Sequence, residues 1–172
     1  MSQNYDYLIV GAGIIGMTIA YELKKRNTSL KIAIIDKEDD TAKHASGRNS
    51  GVLHAGFYYS ANSLKAKLTV DGNKKMKAFC KENNIFVNPT QKIVVAKDEL
   101  ELNGLYELQK RAEVNGVETS IISEKEVKNI DPNIKTYKKA LYSPTTASVE
   151  PKEVCFKLKD LLKEKGVNFY FN

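Results

Sequence analysis

Three glycines near the start of the sequence have a spacing that could bind a dinucleotide. They occur as Gly11-x-Gly13-x-x-Gly16, directly after an apolar run and before a segment with helical spacing. In such a turn Gly11 permits the tight bend, Gly13 lets a pyrophosphate approach the backbone, and Gly16 lets the helix pack closely on the strand. The phosphates would lie at the helix N-terminus, where N–H groups are free and the helix dipole favours negative charge. Asp36 follows at the end of the next apolar run, where it could accept hydrogen bonds from an adenosine ribose.

The elements that must position these residues lie on both sides of the turn. Residues 7–10 and 31–35 are short continuous apolar runs, which predict parallel strands, and the first strand is expected to be buried on both faces. Residues 14–26 are predicted to form a helix that packs on the sheet, with cationic residues in its last turn. The apolar side of that helix is predicted from Ile15, Ile19, Ala20 and Leu23. Strand, helix and strand together make a right-handed βαβ unit.

The segment that follows the acidic residue indicates which dinucleotide the turn would bind. The glycine motif alone does not separate FAD from NAD, since both contain an ADP moiety. Residues 44–56 are rich in small residues and hydroxyls and include one arginine, at the place where a long, extended cofactor would continue towards a flavin. This composition favours a segment that binds FAD over the alternative, a flexible polar loop without a ligand. Ser46 and Arg48 could contact the pyrophosphate, and residues 49–51 would allow backbone contact with the flavin side. The complete predicted cofactor set is Gly11, Gly13, Ile14, Ile15, Gly16, Asp36, Lys37, Ser46, Arg48, Asn49, Ser50, Gly51 and Val52.

The remainder of the chain alternates predicted helices with short strands. Helices are predicted over residues 63–83, 100–115, 123–131 and 151–165, and strands over 85–87, 92–96, 119–122, 140–142, 147–149 and 167–171. Ser123 and Glu126 have the spacing of a capping box. We therefore predict an α/β fold: a Rossmann-like FAD-binding βαβ domain formed by residues 1–84 and 151–172, with an inserted, incomplete α+β substrate domain over residues 85–150. Because the final predicted strand lacks the element that should follow it, we expect the chain to be a fragment.

Composition and charge argue against several other classes of protein. Hydrophobic residues make up 42% and charged residues 28% of the chain, which is typical of a globular protein rather than a disordered one. The net charge of +6 comes from lysines interspersed with acidic residues, so a solvated surface is favoured over a nucleic-acid site. These lysines include Lys24, Lys25, Lys74, Lys75, Lys77 and Lys110. The longest apolar run, residues 8–20, is broken by glycines and is too short to span a bilayer.

The two cysteines, Cys80 and Cys155, lack C-x-x-C spacing and a histidine partner at metal-ligand spacing. We expect both to be packed, reduced thiols, and we predict no metal site. The N-terminus has neither the basic region nor the cleavage site of an export signal, so we expect a cytoplasmic protein. Peripheral contact with the inner face of a membrane is left open.

Two stretches of the sequence resemble a known family. The glycine turn is shared by many flavoproteins, whereas Asn49-Ser-Gly-Val-Leu-His-Ala-Gly-x-Tyr-Tyr59 followed by Ser63-Leu-Lys-Ala-Lys67 is much more specific. Together they resemble the FAD-dependent L-2-hydroxyglutarate oxidase/dehydrogenase family of the D-amino-acid-oxidase-like flavoproteins. Members of that family are much longer, so the chain resembles their N-terminal part.

The resemblance implies oxidation of a 2-hydroxy acid, L-2-hydroxyglutarate, to 2-oxoglutarate, with hydride transfer to flavin N5 and with oxygen or a quinone as electron acceptor. A base must take the hydroxyl proton, and His54 is the candidate because a histidine titrates near working pH. A histidine that only hydrogen-bonds its loop is an equally good interpretation. Tyr58, Tyr59 and Lys65 are weaker candidates for lining the site or neutralising a substrate carboxylate, and His44 is assigned to the surface.

Two other functions and one local departure from the family stay open at this point. The first alternative is a related flavin amine oxidase acting on glycine or a D-amino acid, and the second is a truncated, non-catalytic remnant that retains only affinity for ADP. The Tyr-Tyr and Ser-Leu-Lys-Ala-Lys features favour the hydroxy-acid enzyme. Gln91 stands where members of the family often have glycine, so the turn that precedes Lys92 could differ from theirs.

Overall fold

A computed structural model of the chain describes residues 4–172, which cluster into two compact units. The first unit comprises the residues up to Gly51 together with Glu150–Asn172, and the second comprises Val52–Val149. The domain boundary at residue 84 stays a prediction, whereas in this clustering residues 52–84 belong to the second unit. The reason is that a long helix in this segment anchors to the second unit through a buried side chain, Asn73, which is described below.

Within residues 4–172 the helices and strands follow one another in the predicted order. In chain order they are β1 (Tyr7–Val10), α1 (Ile14–Arg26), β2 (Ile32–Asp36), β3 (Val52–Leu53), α2 (Leu64–Glu82), β4 (Val87–Asn88), β5 (Lys92–Val95), α3 (Glu99–Val114), β6 (Ser120–Ser123), α4 (Glu124–Ile130), β7 (Lys139–Ser143), β8 (Ala147–Val149), α5 (Pro151–Glu164) and β9 (Asn168–Phe171). A short 3-10 turn, Ala45–Gly47, lies between β2 and β3. The strand β3 is the exception, because no strand was predicted between residues 36 and 63.

The first unit is built on a parallel sheet with the strand order β1-β2-β9. Tyr7 is opposite Ile32 and Val10 is opposite Ile35, so β1 and β2 end at the same edge of the sheet. Gly11 continues this pairing for one more residue, because its N–H donates to the Ile35 carbonyl at 2.8 Å. The glycine turn after β1 and the acidic residue that ends β2 are thereby held side by side.

The prediction that β1 is buried on both faces is wrong for this chain. Leu8 is 61% exposed and Val10 is 79% exposed, whereas Ile32, Ala33 and Ile34 of β2 are buried. The difference arises because β2 has a partner strand on each side, while β1 is an edge strand of the described sheet and pairs only with β2. A continuous apolar run does not distinguish these two positions.

The predicted packing side of α1 is confirmed at Ala20 but wrong at Ile15 and Ile19. The buried residues of the helix are Met17, Ala20 and Lys24, while Ile15 is 75% exposed and Ile19 is 49% exposed. Close packing at the start of the helix explains the rotation: a Cβ added at residue 16 would run into the Gly11 carbonyl oxygen and come within 3.1 Å of Ile9 Cγ2. Gly16, which has no Cβ, therefore faces the strand, and this orientation of the helix turns Ile15 and Ile19 outward.

Lys24 is a further correction, because it was grouped with the solvated lysines and is instead buried. Its ammonium donates to the Thr28 carbonyl at 2.6 Å and to the Leu30 carbonyl at 3.0 Å. A buried charge requires such polar partners. Lys24 therefore holds the connection between α1 and β2 instead of contributing to the basic surface.

The second unit contains two antiparallel sheets, with strand orders β3-β8-β4 and β5-β7-β6. Helix α3 packs on the second sheet, and its Leu102 and Leu105 lie in a core with Phe57, Ala96 and Leu141. Two antiparallel sheets and a helix on one of them fit the α+β class that was predicted for the insert.

Polar caps fix the helix starts in the second unit. The Ser63 hydroxyl accepts from the Ala66 N–H at 3.1 Å and begins α2. The capping box predicted for α4 is confirmed, because the Ser123 hydroxyl accepts from the Glu126 N–H at 3.3 Å and the Glu126 carboxylate accepts from the Ser123 N–H at 2.7 Å. Each cap satisfies N–H groups that have no partner within the helix.

The turn before β5 keeps a conformation that favours glycine although glutamine occupies it. Gln91 has φ +59° and its N–H donates to the Thr146 carbonyl at 2.9 Å. The left-handed conformation costs a non-glycine residue roughly 1–2 kcal/mol. Glutamine in place of the glycine that the family often has at this position therefore strains the backbone of the turn.

We predict that Gln91→Gly raises the free energy of unfolding by up to about 1 kcal/mol, because the relief of strain exceeds the added backbone entropy of glycine. The urea midpoint of the purified chain measures the change. Gln109→Gly is the matched control and should lower the free energy of unfolding by about 1 kcal/mol, since Gln109 lies in the interior of α3. Equal losses in both variants would contradict the prediction.

Candidate functional site

The glycine turn of the first unit is held on both sides by side chains from beyond the motif. The Ala12 N–H donates to Asp36 Oδ2 at 2.7 Å, and the Thr41 hydroxyl donates to the Ala12 carbonyl oxygen. Thr41 is buried, and Gly11 has φ +105°, a conformation that glycine adopts without strain. The turn is thus fixed in shape before any ligand contacts it.

The carboxylate that ends β2 lies where the motif requires it. Asp36 Oδ2 accepts from the turn, and Oδ1 accepts from the Glu38 N–H at 3.0 Å. Each carboxylate oxygen can accept more than one hydrogen bond, so both retain acceptor capacity for ribose hydroxyls. Lys37, between these two residues, has a side chain that is 78% exposed, and its ammonium lies 3.9 Å from Glu38.

The N-terminus of α1 presents backbone donors to an anion. The Ile14 N–H donates to the Ser46 hydroxyl at 3.0 Å, which brings one of the predicted phosphate contacts to the helix end. The N–H groups of Ile15 and Gly16, in the same first turn, have no hydrogen-bond acceptor within residues 4–172. A Cβ at Gly13 would lie 3.0 Å from the Ser46 hydroxyl oxygen, so a side chain there would crowd this cradle. These groups fit the diphosphate of an ADP moiety.

The loop that carries Ser46 is shaped by its own backbone and by one amide side chain. Ala42 has φ +61°, and a Cβ at Gly47 would overlap the Ala42 carbonyl, so the two backbones approach closely. The Asn49 amide donates to the Ala45 carbonyl at 2.9 Å and to the Ser46 carbonyl at 3.0 Å. The role of the Asn49 side chain is therefore to close the loop, and contacts from its backbone to a flavin stay a prediction.

Two other predicted residues of this loop are open to solvent, whereas Gly51 is buried. Arg48 and Ser50 are exposed, and no ion pair involves Arg48 within the described residues. Gly51 has φ +65° and donates to the Asn49 side chain at 2.9 Å. Val52, the last residue of the predicted cofactor set, begins the second unit.

His44, which was assigned to the surface, is exposed and lies 2.7 Å from the Glu38 carboxylate through its Nε2. Cys80 and Cys155 are buried thiols, as predicted. Burial raises the pKa of Cys155 to about 11, so this thiol stays protonated and unreactive at neutral pH. Within residues 4–172 no group of His, Cys, Asp and Glu side chains is arranged to hold a metal ion.

His54 lies in the second unit, and its backbone is held by a buried amide that sequence reasoning missed. Asn73 Nδ2 donates to the Leu53 carbonyl at 2.9 Å and to the His54 carbonyl at 3.2 Å. Burial, and then the positive charge of Lys92, hold the pKa of His54 below its ordinary value of 6.5. The imidazole is therefore neutral at neutral pH and can accept a proton.

The aromatic residues near His54 in sequence have different environments. Burial raises the pKa of Tyr58, so its phenol stays protonated, and the Lys92 ammonium lies 5.0 Å from the centre of its ring. Lys65 lies 4.5 Å from the centre of the Tyr59 ring. Two of the predicted substrate residues, Tyr59 and Lys65, thus contact each other. The third, Tyr58, contacts Lys92, a residue that was not predicted for the site.

Thr41, Asn73 and Lys92 are the residues at these sites that sequence reasoning missed. Thr41 and Asn73 act by hydrogen bonds to backbone carbonyls far along the chain, and no local pattern marks such bonds. Lys92 could have been singled out, because it follows directly on the position where the family often has glycine.

A parallel βαβ unit with a glycine turn, free helix amides and a carboxylate at the neighbouring strand end defines a dinucleotide-binding protein. The comparisons narrow this class: residues 6–172 match the family described as FAD dependent oxidoreductase (DAO). The chain belongs to this family. The predicted cofactor, FAD, and the predicted Rossmann-like α/β fold are thereby confirmed.

The curated relatives in this family carry one recurring name. The chain is 36% identical over 168 residues to an L-2-hydroxyglutarate dehydrogenase from Escherichia coli O17:K52:H18, covering 98% of the chain and 40% of the relative. It is 40% identical over 163 residues to the mitochondrial L-2-hydroxyglutarate dehydrogenase of Dictyostelium discoideum, covering 94% of the chain and 36% of the relative. The chain therefore spans about two fifths of the length of these relatives.

Solved structures share the fold. An L-alpha-glycerophosphate oxidase from Mycoplasma pneumoniae, solved with FAD bound, has a TM-score of 0.90 at 24% identity, covering 99% of the chain and 45% of that protein. A glycine oxidase from Geobacillus kaustophilus has a TM-score of 0.85 at 25% identity, covering 99% of the chain and 47% of that protein. Within residues 4–172 none of the helices is long and apolar enough to cross a membrane.

We predict that Gly16→Ala lowers the affinity of the chain for FAD at least tenfold, because the new methyl group displaces the backbone of the turn. Titration of FAD into the purified chain by calorimetry measures the affinity. Gly104→Ala is the matched control: it lies within α3, a Cβ there meets nothing within 4 Å, and FAD binding should be unchanged. Circular dichroism checks that both variants fold, and a folded Gly16→Ala variant that binds FAD normally would contradict the assigned cradle.

We predict that Asp36→Asn weakens FAD binding about tenfold or more. The change removes a charged acceptor that serves both the turn and a ribose, and hydrogen bonds to charged groups contribute roughly 1.5–3 kcal/mol each. The exposed Asp160 of α5, changed to Asn, is the control for a general loss of negative charge in the same unit. Similar FAD affinities for the two variants would remove Asp36 from the site.

Proposed function

We propose that the chain is the cofactor-binding part of an FAD-dependent oxidoreductase that oxidises L-2-hydroxyglutarate to 2-oxoglutarate. The observation that carries this proposal is the 35–40% identity of nearly the whole chain to proteins named L-2-hydroxyglutarate dehydrogenase. Because the chain spans about two fifths of those proteins, the remaining parts of the substrate site lie outside it.

The first unit supplies the cofactor contacts in this proposal. The N–H groups of Ile15 and Gly16 and the Ser46 hydroxyl would hold the diphosphate, and Asp36 would hold the adenosine ribose. Arg48 is an exposed residue of the loop that carries Ser46, and its positive charge would attract the phosphates. When bound, FAD supplies an acceptor for the hydride that leaves the substrate carbon.

The second unit supplies the candidate base. His54 is neutral at neutral pH because burial and Lys92 lower its pKa, so its free ring nitrogen can accept the proton of the substrate hydroxyl. Asn73 fixes the backbone that carries it. A purely structural His54 is the competing interpretation, and a Tyr58 that stays protonated could donate a hydrogen bond to the substrate.

The Tyr59–Lys65 pair is the weaker part of the proposal. Lys65 is directed at the Tyr59 ring, and the Tyr59 carbonyl accepts from the Asn115 amide at 3.2 Å. These contacts support a structural role at least as well as a role in neutralising a substrate carboxylate.

Two alternatives follow from particular observations. The TM-score of 0.85 to a glycine oxidase supports an amine oxidase acting on glycine or a D-amino acid. The limited share of the relatives that the chain spans supports a non-catalytic remnant that only binds nucleotide. We further propose a cytoplasmic location from the two buried thiols, with oxygen or a quinone as the electron acceptor.

The test is anaerobic reduction of the flavin in the natural protein that contains this chain. L-2-hydroxyglutarate should bleach the yellow flavin spectrum. Bleaching by glycine or D-amino acids instead would establish the amine oxidase. FAD binding without bleaching by either class of substrate would establish the remnant.

We predict that His54→Gln lowers the rate of flavin reduction by roughly 10²–10⁴-fold while FAD stays bound, because it removes the proton acceptor. In the unchanged protein the rate should be constant above neutral pH and fall as the pH drops through the lowered pKa of His54, below 6.5, since protonation removes the base. Stopped-flow absorbance across this range measures both effects. The exposed His44, changed to Gln, is the control, and an unchanged rate in His54→Gln would leave His54 a structural role only.

A further inference from the structure

Lys92 combines partial burial with a position over an aromatic ring. It begins β5 directly after the strained turn at Gln91, and its backbone pairs with Ser143 of β7. The side chain is half-buried, yet within residues 4–172 no carboxylate forms an ion pair with it. Its ammonium lies 5.0 Å from the centre of the Tyr58 ring.

The Tyr58 ring gives Lys92 a defined position without using its hydrogen-bond donors. Tyr58 packs on the buried Phe57 ring, with 4.3 Å between the ring centres. An ammonium over the face of an aromatic ring is attracted by its electrons, but its three N–H groups still require acceptors. A half-buried cation in this state is prepared to bind an anion.

The charge of Lys92 reaches the candidate base. After burial, the positive charge of Lys92 is the second cause that lowers the pKa of His54. His54, Tyr58 and Lys92 all belong to the second unit. An anion bound at Lys92 would therefore lie close to the proton acceptor.

We propose that Lys92 binds a carboxylate of the substrate and is a determinant of selectivity for acidic 2-hydroxy acids. This inference rests on the proposed function and deepens it. A bound carboxylate offsets the positive charge of Lys92, so substrate binding itself makes His54 a stronger base. Binding and proton acceptance are then coupled through a single lysine.

Three variants test the inference in the natural protein that contains this chain. Lys92→Met removes the charge and should raise the KM for L-2-hydroxyglutarate at least tenfold, whereas Lys92→Arg keeps the charge and should restore most of the affinity. Lys97→Met is the matched control, because the Lys97 side chain is 82% exposed and pairs only loosely with Glu101 at 3.8 Å. A Lys92→Met protein with an unchanged KM would overturn the inference.

L-lactate, a substrate with a single carboxylate, shows which of the two carboxylates of L-2-hydroxyglutarate Lys92 binds. If Lys92 binds the carboxylate next to the reacting carbon, Lys92→Met raises the KM for both substrates. If it binds the distal carboxylate, only the KM for L-2-hydroxyglutarate rises. Either result supports carboxylate binding by Lys92.

A second measurement does not depend on turnover. The His54 ring signals of the 172-residue chain, followed by NMR, report both its pKa and the binding of glutarate. Lys92→Met should raise the pKa of His54 towards 6.5 and abolish the response to glutarate, and Lys97→Met should do neither. The two proposals can fail separately. If the chain responds to glutarate through Lys92 but the protein does not oxidise L-2-hydroxyglutarate, the proposed function is refuted and the carboxylate site is not. No response to glutarate in the unchanged chain would refute the site.

Discussion

One hydrogen bond, from the Ala12 N–H to the Asp36 carboxylate, joins the two halves of the proposed cofactor site. It connects the turn after β1 to the end of β2, and a charged acceptor makes it stronger than a bond between neutral groups. Because the Thr41 hydroxyl donates to the carbonyl oxygen of the same residue, Ala12, the turn cannot move away from the sheet edge without losing both bonds. The orientation of α1 follows from this restraint. Its first amides point out of the turn towards the Ser46 hydroxyl, and Gly16 allows the helix to begin so close to the strand.

The second unit uses the same principle, a buried polar side chain that fixes backbone from distant parts of the sequence. Asn73 lies on α2, and its amide reaches the carbonyls of Leu53, His54 and Thr145. Lys77, one helical turn later, donates to the Thr145 carbonyl at 2.5 Å. Loss of the Asn73 amide would remove this donor from the part-buried Leu53 and His54 carbonyls, at a cost of up to about 1–3 kcal/mol for each carbonyl left unpaired. The helix therefore determines where β3 ends, and thereby where the backbone of His54 lies.

The sequence predicted the parts of the structure that depend on short-range rules and missed the parts that depend on distant partners. The glycine turn, Asp36 and the Ser123–Glu126 capping box follow local spacing, and each was predicted. The burial of β1 and the packing side of α1 depend on which strands flank the sheet and on the contact at Gly16. An apolar run or a four-residue period contains neither piece of information. Lys24 illustrates the same limit for charge, since the two carbonyls that accept from its ammonium are provided by the loop that follows the helix.

The distribution of charge explains how one backbone could serve different substrates. Proteins with TM-scores of 0.90 and 0.85 to this chain are named for L-alpha-glycerophosphate and for glycine, so the shared fold does not select the substrate. In the proposed function the first unit contacts the cofactor through backbone amides, glycines without Cβ atoms and one carboxylate, none of which a change of substrate would alter. In the proposed function, side chains of the second unit could contribute to selection by differing in charge while the strands stay in place. Lys92, at the first position of β5, lies over the Tyr58 ring and has no carboxylate partner among the described residues. If it binds substrate as proposed, replacing it would change the charge presented to the substrate and leave the strand pairing with β7 intact.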